Sequence, residues 1–286
     1  MIGLIQAISI ADVQNHSRTL PCDPAKSRTH SGMGAALLST PDILLNILRN
    51  LIQHTSLPVS CKIRLLPTQS DTLHLAARIL RTGIRNLTVH CRTRDMRPRE
   101  RAIWDRLHDV VQLGKQRGIP VTCNGDGDGW TNWDQIRAET GKQALASSSL
   151  IIGADSVMLA RAAERNPSVF LPEGPRCNIT EIVPKFINIC EYIDNPWGNT
   201  KFLLAQFRPS AAPISSLTKS EKKAAQEAVT RSKSLVEVAE QLNVQLGKGA
   251  ELLSEISKVI ARSKPSNVFD ERAEAVAEGR AVDEAT

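Results

Sequence analysis

Polar and charged residues occur where short apolar segments of the chain end. Lys62 lies within VSCKIRL, His90 lies near the end of NLTVHC, and Asn124 ends PVTCN. A lysine in a buried strand must face a ligand or a counter-charge, because a lone ammonium is unfavourable in an apolar interior. Lys62 is therefore either a cationic contact to an anionic ligand or part of a salt bridge. His90 is either a donor to a ligand or a satisfied polar group.

Two further segments have the residue types of an anion site. Asn124 is followed by Gly125, Asp126 and further glycines, and glycine lets backbone N–H groups approach phosphate oxygens. Ala160 and Arg161 follow the apolar segment SVML, and an arginine where a strand meets a helix is a typical phosphate ligand. A plain turn is the alternative for the glycine-rich segment.

The loop from residue 92 to residue 101, RTRDMRPRER, is strongly cationic. Such a density of one charge sign favours a phosphate-rich partner such as RNA, with a solvated charged loop as the alternative. The candidate RNA contacts of this loop are Arg92, Arg94, Arg97, Arg99 and Arg101.

Alternating strands and helices position these residues. The strands read as apolar throughout, which predicts a parallel sheet covered on both faces. Residues 59–170 hold four βα units, whereas a closed (β/α)8 barrel needs eight. The fold class is therefore α/β, a partial TIM (β/α)8 barrel made of the last four βα units and followed by an all-helical domain. Strands are predicted over 59–65, 86–91, 120–124 and 156–160, and helices over 41–55, 71–82, 102–117 and 133–140.

After Pro172 the pattern becomes entirely helical. Helices are predicted over 182–193, 200–207, 219–242 and 248–263. The charged end of the chain is poor in large apolar residues, which predicts a flexible tail. The predicted division is an N-terminal segment (1–31), a half-barrel (32–171), a helical domain (172–264) and the tail (265–286).

Composition limits the class of protein. The 286 residues carry a formal net charge of +6, a modest basic excess that permits a nucleic-acid partner. Apolar runs stay below the roughly 18 residues of a membrane span. The six cysteines form no Cys-x-x-Cys pair, so reduced intracellular thiols are expected rather than zinc ligands or disulfides. We therefore expect no membrane partner and no metal.

Taken together, these motifs resemble the tRNA-dihydrouridine synthase family, and most of all its eukaryotic branch that modifies position 20 of the tRNA D-loop. The motifs are SGMGAALLSTPD, PVSCKIRLLP, VHCRTRDMRPRERA, PVTCNGDG and SVMLARAAERNPSVF. The resemblance covers residues 32–170 and, more weakly, EYIDNPWGNTKFLLAQ. It implies an FMN-containing TIM barrel followed by a helical tRNA-binding domain.

The resemblance also implies roles for single residues in FMN binding. Lys62 corresponds to a lysine that contacts the flavin, and His90 corresponds to the histidine at the next strand end. Asn124, Gly125 and Asp126 stand where the family usually has Asn-Gly-Gly at the flavin phosphate, so Asp126 is a departure.

The resemblance implies roles for residues in three further segments, outside the site of the flavin ring. Ala160 and Arg161 match the family's phosphate-binding pair. Lys201 ends an Asn-Thr-Lys segment whose role is RNA contact or simple packing. The family's catalytic cysteine falls at Asp23 of this chain, and the neighbouring Cys22 is the candidate acid.

The implied reaction is reduction of the uracil C5–C6 double bond in tRNA. NADPH or NADH would reduce FMN, a hydride would pass to C6, and a cysteine would protonate C5 of a flipped-out base. We expect a chain that lacks the first strands of the barrel, which could leave it inactive. The alternatives are a non-catalytic tRNA-binding remnant and another FMN-dependent TIM-barrel oxidoreductase. The expected location is the cytoplasm, with the nucleus in addition.

Overall fold

The computed structural model describes residues 34–141, 153–207 and 217–262, which belong to two compact units. The first unit includes residues 34–141 and 153–178, and the second includes residues 179–205 and 217–262. The predicted N-terminal segment with Cys22, and the predicted tail, lie outside the described residues.

Four parallel strands form the centre of the first unit. They are β1 (Ser60–Leu65), β2 (Asn86–Thr93), β3 (Val121–Asn124) and β4 (Ser156–Met158), hydrogen-bonded in the order β1-β2-β3-β4. Neighbouring parallel strands cannot be joined by a tight turn, so a crossover segment must connect each pair. All four predicted strands are confirmed, and their ends move by two residues or fewer.

Helices precede and follow the strands in chain order. They are α1 (Pro41–His54), α2 (Gln69–Leu80), α3 (His108–Lys115), α4 (Trp133–Thr140) and α5 (Arg161–Arg165). Local signals fix their ends: a proline opens α1, and the Thr68 hydroxyl caps α2 by accepting a hydrogen bond from Asp71 N. The helix predicted over 102–117 begins later, as a 3-10 turn (Trp104–Leu107) that continues into α3.

The two faces of the sheet differ, which corrects the expectation that the strands are apolar throughout. In β1, Cys61 and Ile63 are buried, whereas Lys62 between them is exposed. Side chains alternate along a strand, so the register places polar residues of neighbouring strands on one shared face. That polar face carries Lys62, Arg64, Thr88, His90, Thr122 and Asn124. The opposite face joins the apolar core with α1, α2 and α3.

Every regular element in the described part of the second unit is a helix. These are α6 (Val183–Tyr192), α7 (Trp197–Gln206), α8 (Lys219–Arg231), α9 (Leu235–Gln241) and α10 (Gly249–Arg262), after a π-turn at Asn178–Ile182. The prediction of one helix over 219–242 is wrong. The chain breaks after Arg231, because Ser234 accepts a hydrogen bond from Glu237 N at 3.1 Å and caps a new helix.

Leu48→Ala is expected to lower the free energy of unfolding by about 2–5 kcal/mol, because Leu48 is fully buried and truncation leaves a cavity. Ile43→Ala in the same helix is the matched control, since Ile43 is 52% exposed. Urea unfolding followed by circular dichroism measures both changes. Equal losses for the two variants would show that α1 does not pack on the sheet in this way.

Candidate anion-binding site

The carboxyl ends of the strands bring the predicted site residues to one edge of the sheet. Arg64 lies opposite His90, and His90 lies opposite Asn124, which in turn lies opposite Met158. The segment that begins at Gly125 leaves the same edge, as do Ala160 and Arg161 after β4. Ligands of parallel α/β proteins bind at this edge.

Two cations extend from β1 onto the polar face. The Lys62 ammonium has no hydrogen-bond or ion-pair partner among the described residues, and Arg64 Nη1 donates to Thr93 O at 3.1 Å. Lys62 is exposed by surface area, yet enough protein surrounds it that burial, with the charge of Arg64, lowers its pKa. Burial and the charge of Arg92 lower the pKa of Arg64 in the same way. The neighbouring cations repel one another, and an anion would relieve that repulsion.

His90 is half-buried among these cations. Burial lowers the pKa of His90 to about 4, and the charges of Arg64 and Lys62 are the next causes. Arg92 acts in the same direction, whereas Asp126 opposes them. The ring is therefore neutral at neutral pH, with one nitrogen as a donor and the other as an acceptor.

Arg92 belongs to this site and not to the solvent-exposed loop. It is 3% exposed, and its guanidinium group pairs with Asp126. Nε donates to Glu100 O at 2.6 Å, and Nη1 lies 3.3 Å from Nε2 of His90. The burial of Arg92 counts against the predicted RNA contact, because its donors point into the protein.

Asp126 links Arg92 to the edge at β4. It pairs with Arg161 at 3.2 Å, and its Oδ2 accepts a hydrogen bond from Ala102 N at 2.6 Å. Burial alone would raise the pKa of Asp126, but the hydrogen bonds from Arg92 and Ala102 N and the charges of both arginines outweigh it and lower the pKa. The carboxylate that departs from the family pattern is thus neutralised by two guanidinium groups.

Glycine is required at position 125. The φ of Gly125 is +111°, and a Cβ there would lie 3.1 Å from both Ala102 Cβ and His90 Cδ2. Its carbonyl accepts a hydrogen bond from Trp104 Nε1 at 2.8 Å. Asn124 is also fixed, because its Nδ2 donates to Met158 O at 2.8 Å. The absence of a side chain at position 125 therefore lets Ala102, His90 and Arg92 pack closely against the backbone of this segment.

The remaining loop arginines are exposed, as an RNA surface requires. Arg101 interacts with Glu139 at 3.7 Å, and Arg94 interacts with Asp95 at 3.7 Å. The Arg97 and Arg99 side chains have no partner among the described residues. Both carry full charges that a phosphate backbone could take up.

Lys201 has structural partners in the second unit. Its Nζ donates to Thr230 O at 2.7 Å and to Ser232 O at 2.8 Å, and it lies 5.8 Å from the centre of the Trp197 ring. Lysine near the end of a helix commonly satisfies the last carbonyl groups. The geometry favours the packing alternative for Lys201 over RNA contact.

Sequence reasoning does not predict the roles of two site residues correctly. Arg64 is missed, although its spacing from Lys62 places both on one face of a strand. Arg92 is misplaced in the loop, because it begins the arginine-rich segment.

In the part of the chain that the structure describes, no cluster of metal-ligating residues occurs, and no helix is long and apolar enough to cross a membrane.

Comparison with known proteins shows which family this chain resembles. The family model described as dihydrouridine synthase (Dus) matches residues 22–259. The tRNA-dihydrouridine(20) synthase (NAD(P)+) of Schizosaccharomyces pombe is 38% identical over 187 residues, covering 64% of this chain and 36% of the relative. Its counterpart in Saccharomyces cerevisiae is 37% identical over 196 residues, covering 65% and 48%.

A bacterial relative extends the match. The tRNA-dihydrouridine synthase B of Proteus vulgaris is 30% identical over 178 residues, covering 57% of this chain and 50% of the relative. The chain thus spans half the length, or less, of these curated relatives. Because the family model covers most of the sequence, the chain belongs to the dihydrouridine synthase family.

The neutral state of His90 predicts a pH dependence of stability. Unfolding returns the pKa from about 4 to its ordinary value near 6.5, so the unfolded chain binds the proton first as the pH falls. As the pH falls from 6.5 to 4, the free energy of unfolding of the wild type is therefore expected to decrease. The His90→Gln variant should lack this part of the decrease. Urea unfolding at pH 7 and pH 5 measures the difference, and parallel losses in the two proteins would contradict it.

Proposed function

We propose that this chain binds FMN at the cationic site and reduces uridine to 5,6-dihydrouridine in the D-loop of tRNA, with NADPH or NADH as reductant. The observation that carries the proposal is the excess of positive charge at the sheet edge. Three of the four cationic side chains of this edge act on His90, and the fourth pairs with Asp126, the carboxylate among them. The four are Lys62, Arg64, Arg92 and Arg161. The names and similarity of the curated relatives support the reaction.

The residues present fit the flavin and its phosphate. Arg161 is exposed and pairs with Asp126, the residue after Gly125, so a phosphate held by Arg161 would lie beside the glycine-rich segment. Lys62 and His90 lie on the polar face, where they would contact the electron-rich edge of the flavin ring. Bound FMN would supply the electron pair that saturates the uracil C5–C6 bond.

The protein would supply position, charge and a proton. The unpartnered Lys62 ammonium would stabilise negative charge on the ring system. Cys22 is the proposed general acid for C5 of the base, and Cys22→Ala is the variant that tests it.

We further propose that the four strands are the last four of a (β/α)8 barrel, followed by a helical tRNA-binding domain. Consecutive parallel strands in the order β1-β2-β3-β4 support a barrel, because a doubly wound sheet reverses its order at a switch point. One helix-covered apolar face and one polar face suit a barrel wall whose ligand site lies inside.

The loop after β2 is the proposed tRNA contact. Arg94, Arg97, Arg99 and Arg101 are exposed on a segment that leaves the same edge of the sheet as the site. An enzyme that acts on a flipped-out base must hold the nucleic-acid backbone near the site of chemistry. A small-molecule oxidoreductase has no use for such a loop.

Arg161→Met is expected to weaken FMN binding about ten-fold or more while leaving riboflavin binding nearly unchanged, because a charged phosphate contact contributes roughly 1.5–3 kcal/mol. Lys62→Met should weaken both flavins alike, since Lys62 is assigned to the ring. Titration of each flavin into the purified protein, followed by absorbance and fluorescence, measures the affinities.

The flavin titration separates the proposed functions. If neither flavin binds the wild-type chain, the enzyme proposal fails and a tRNA-binding remnant is the better account. If Arg161→Met weakens riboflavin as much as FMN, the phosphate assignment is wrong although the flavin site stands.

Replacing both Arg97 and Arg99 by alanine is expected to weaken tRNA binding and to make the dependence of log affinity on log salt less steep. The slope should fall by about 0.7–0.9 for each phosphate group that the variant no longer neutralises. Arg85→Ala is the control, because Arg85 is exposed at the start of β2, the opposite end of the strand. Filter binding at several salt concentrations measures the slopes. Equal slopes in the wild type and the double variant would remove the loop from the tRNA interface.

A further inference from the structure

We infer that Arg92 is a positioning residue that holds the His90 imidazole in the tautomer with its proton on Nδ1. Arg92 Nη1 lies 3.3 Å from His90 Nε2. A guanidinium group has only donors, so the imidazole nitrogen facing it must be the acceptor. In a neutral ring, the proton is then on the other nitrogen.

The backbone of β2 brings the two side chains together. Arg64 of β1 lies opposite His90, whereas the next residue, Leu65, lies opposite Thr93. Cys91 and Arg92 are therefore extra residues at an irregularity of the β1–β2 ladder. Such bulges re-aim side chains beside functional sites.

Arg92 is not free to turn away from His90. Its Nε donates to Glu100 O at 2.6 Å, and its Nη2 pairs with Asp126 and lies 3.5 Å from Pro98 O. These partners use the remaining faces of the guanidinium group. Its Nη1 is thereby directed at the ring, and almost no solvent reaches the group.

The imidazole ring is also confined on a second side. His90 Cδ2 packs against Gly125 so closely that a Cβ at position 125 would lie only 3.1 Å from it. His90 Nδ1 has no hydrogen-bond partner among the described residues, so its proton is available to a ligand. The arrangement presents a neutral N–H donor to an acceptor atom of a heteroaromatic ring or its carbonyl group. Donation to the flavin rests on the proposed function, whereas the tautomer does not.

The wild-type protein tests the tautomer directly. Long-range proton–nitrogen NMR spectra of ¹⁵N-labelled protein distinguish protonated from unprotonated imidazole nitrogens. His90 is assigned among the six histidines by the signals that disappear in His90→Gln. A proton on Nδ1 at pH 7 is the expected result. A proton on Nε2, or on both nitrogens, overturns the inference, because neither form can accept from Arg92.

Two variants separate positioning from general damage. Arg92→Met should move the proton of His90 towards Nε2, and retention of the Nδ1 form in this variant would contradict the role of Arg92. Arg161→Met is the matched control, because it removes the other arginine partner of Asp126 without touching His90, and it should leave the tautomer unchanged. If Arg92→Met does not fold, the wild-type spectrum still decides.

Flavin affinity supplies the functional measurement. Arg92→Met should weaken riboflavin binding by about ten-fold, as expected for one misdirected hydrogen bond, and FMN binding at least as much, because Asp126 then has only Arg161 as an ion-pair partner. If the wild type binds no flavin, the proposed function fails while the NMR result on Arg92 stands. If the Nδ1 tautomer is found but Arg92→Met binds flavin normally, the ring donor does not serve the flavin.

Discussion

The ion pair between the buried Arg92 and the part-buried Asp126 joins parts of the first unit that are distant in sequence. Through Arg92 it reaches His90 and the loop carbonyl of Glu100, and through Asp126 it reaches Ala102 N and Arg161. Removing Asp126 would leave the buried Arg92 guanidinium group without its counter-ion, which is strongly unfavourable. The Arg92–Asp126 ion pair therefore fixes the positions of the sheet edge, the arginine-rich loop and the segment after β4 relative to one another.

The site around this pair is not electrically balanced. Asp126 already interacts with two guanidinium groups, while burial and the charge of Arg64 lower the pKa of Lys62, and burial and the charge of Arg92 lower the pKa of Arg64. A folded protein tolerates such repulsion when a ligand relieves it, and preorganised charges of this kind stabilise negative charge better than water does. Burial, and then the charges of Arg64, Lys62 and Arg92, explain why His90 is neutral among these polar side chains.

The sequence predicts the strands well, because each is a short β-prone run between glycine, proline or polar breaks. The site edge follows from the rule for parallel strands, which places Lys62, His90 and Asn124 together. The role of Arg92 does not follow from sequence, since it depends on Asp126 and on an irregular register. The break after Arg231 is not predicted either, because helical spacing continues through it and only the capping role of Ser234 shows where α9 begins.

The anchoring of the arginine-rich loop has a consequence for the entropy of association. Arg92, Arg161 and Asp126 already fix the backbone at Pro98 O, Glu100 O and Ala102 N. A long cationic loop without such anchors would have to be ordered when it meets its partner, and that ordering opposes binding. Here only the exposed arginine side chains remain to be immobilised, so the loop would meet the proposed polyanion as a preformed surface.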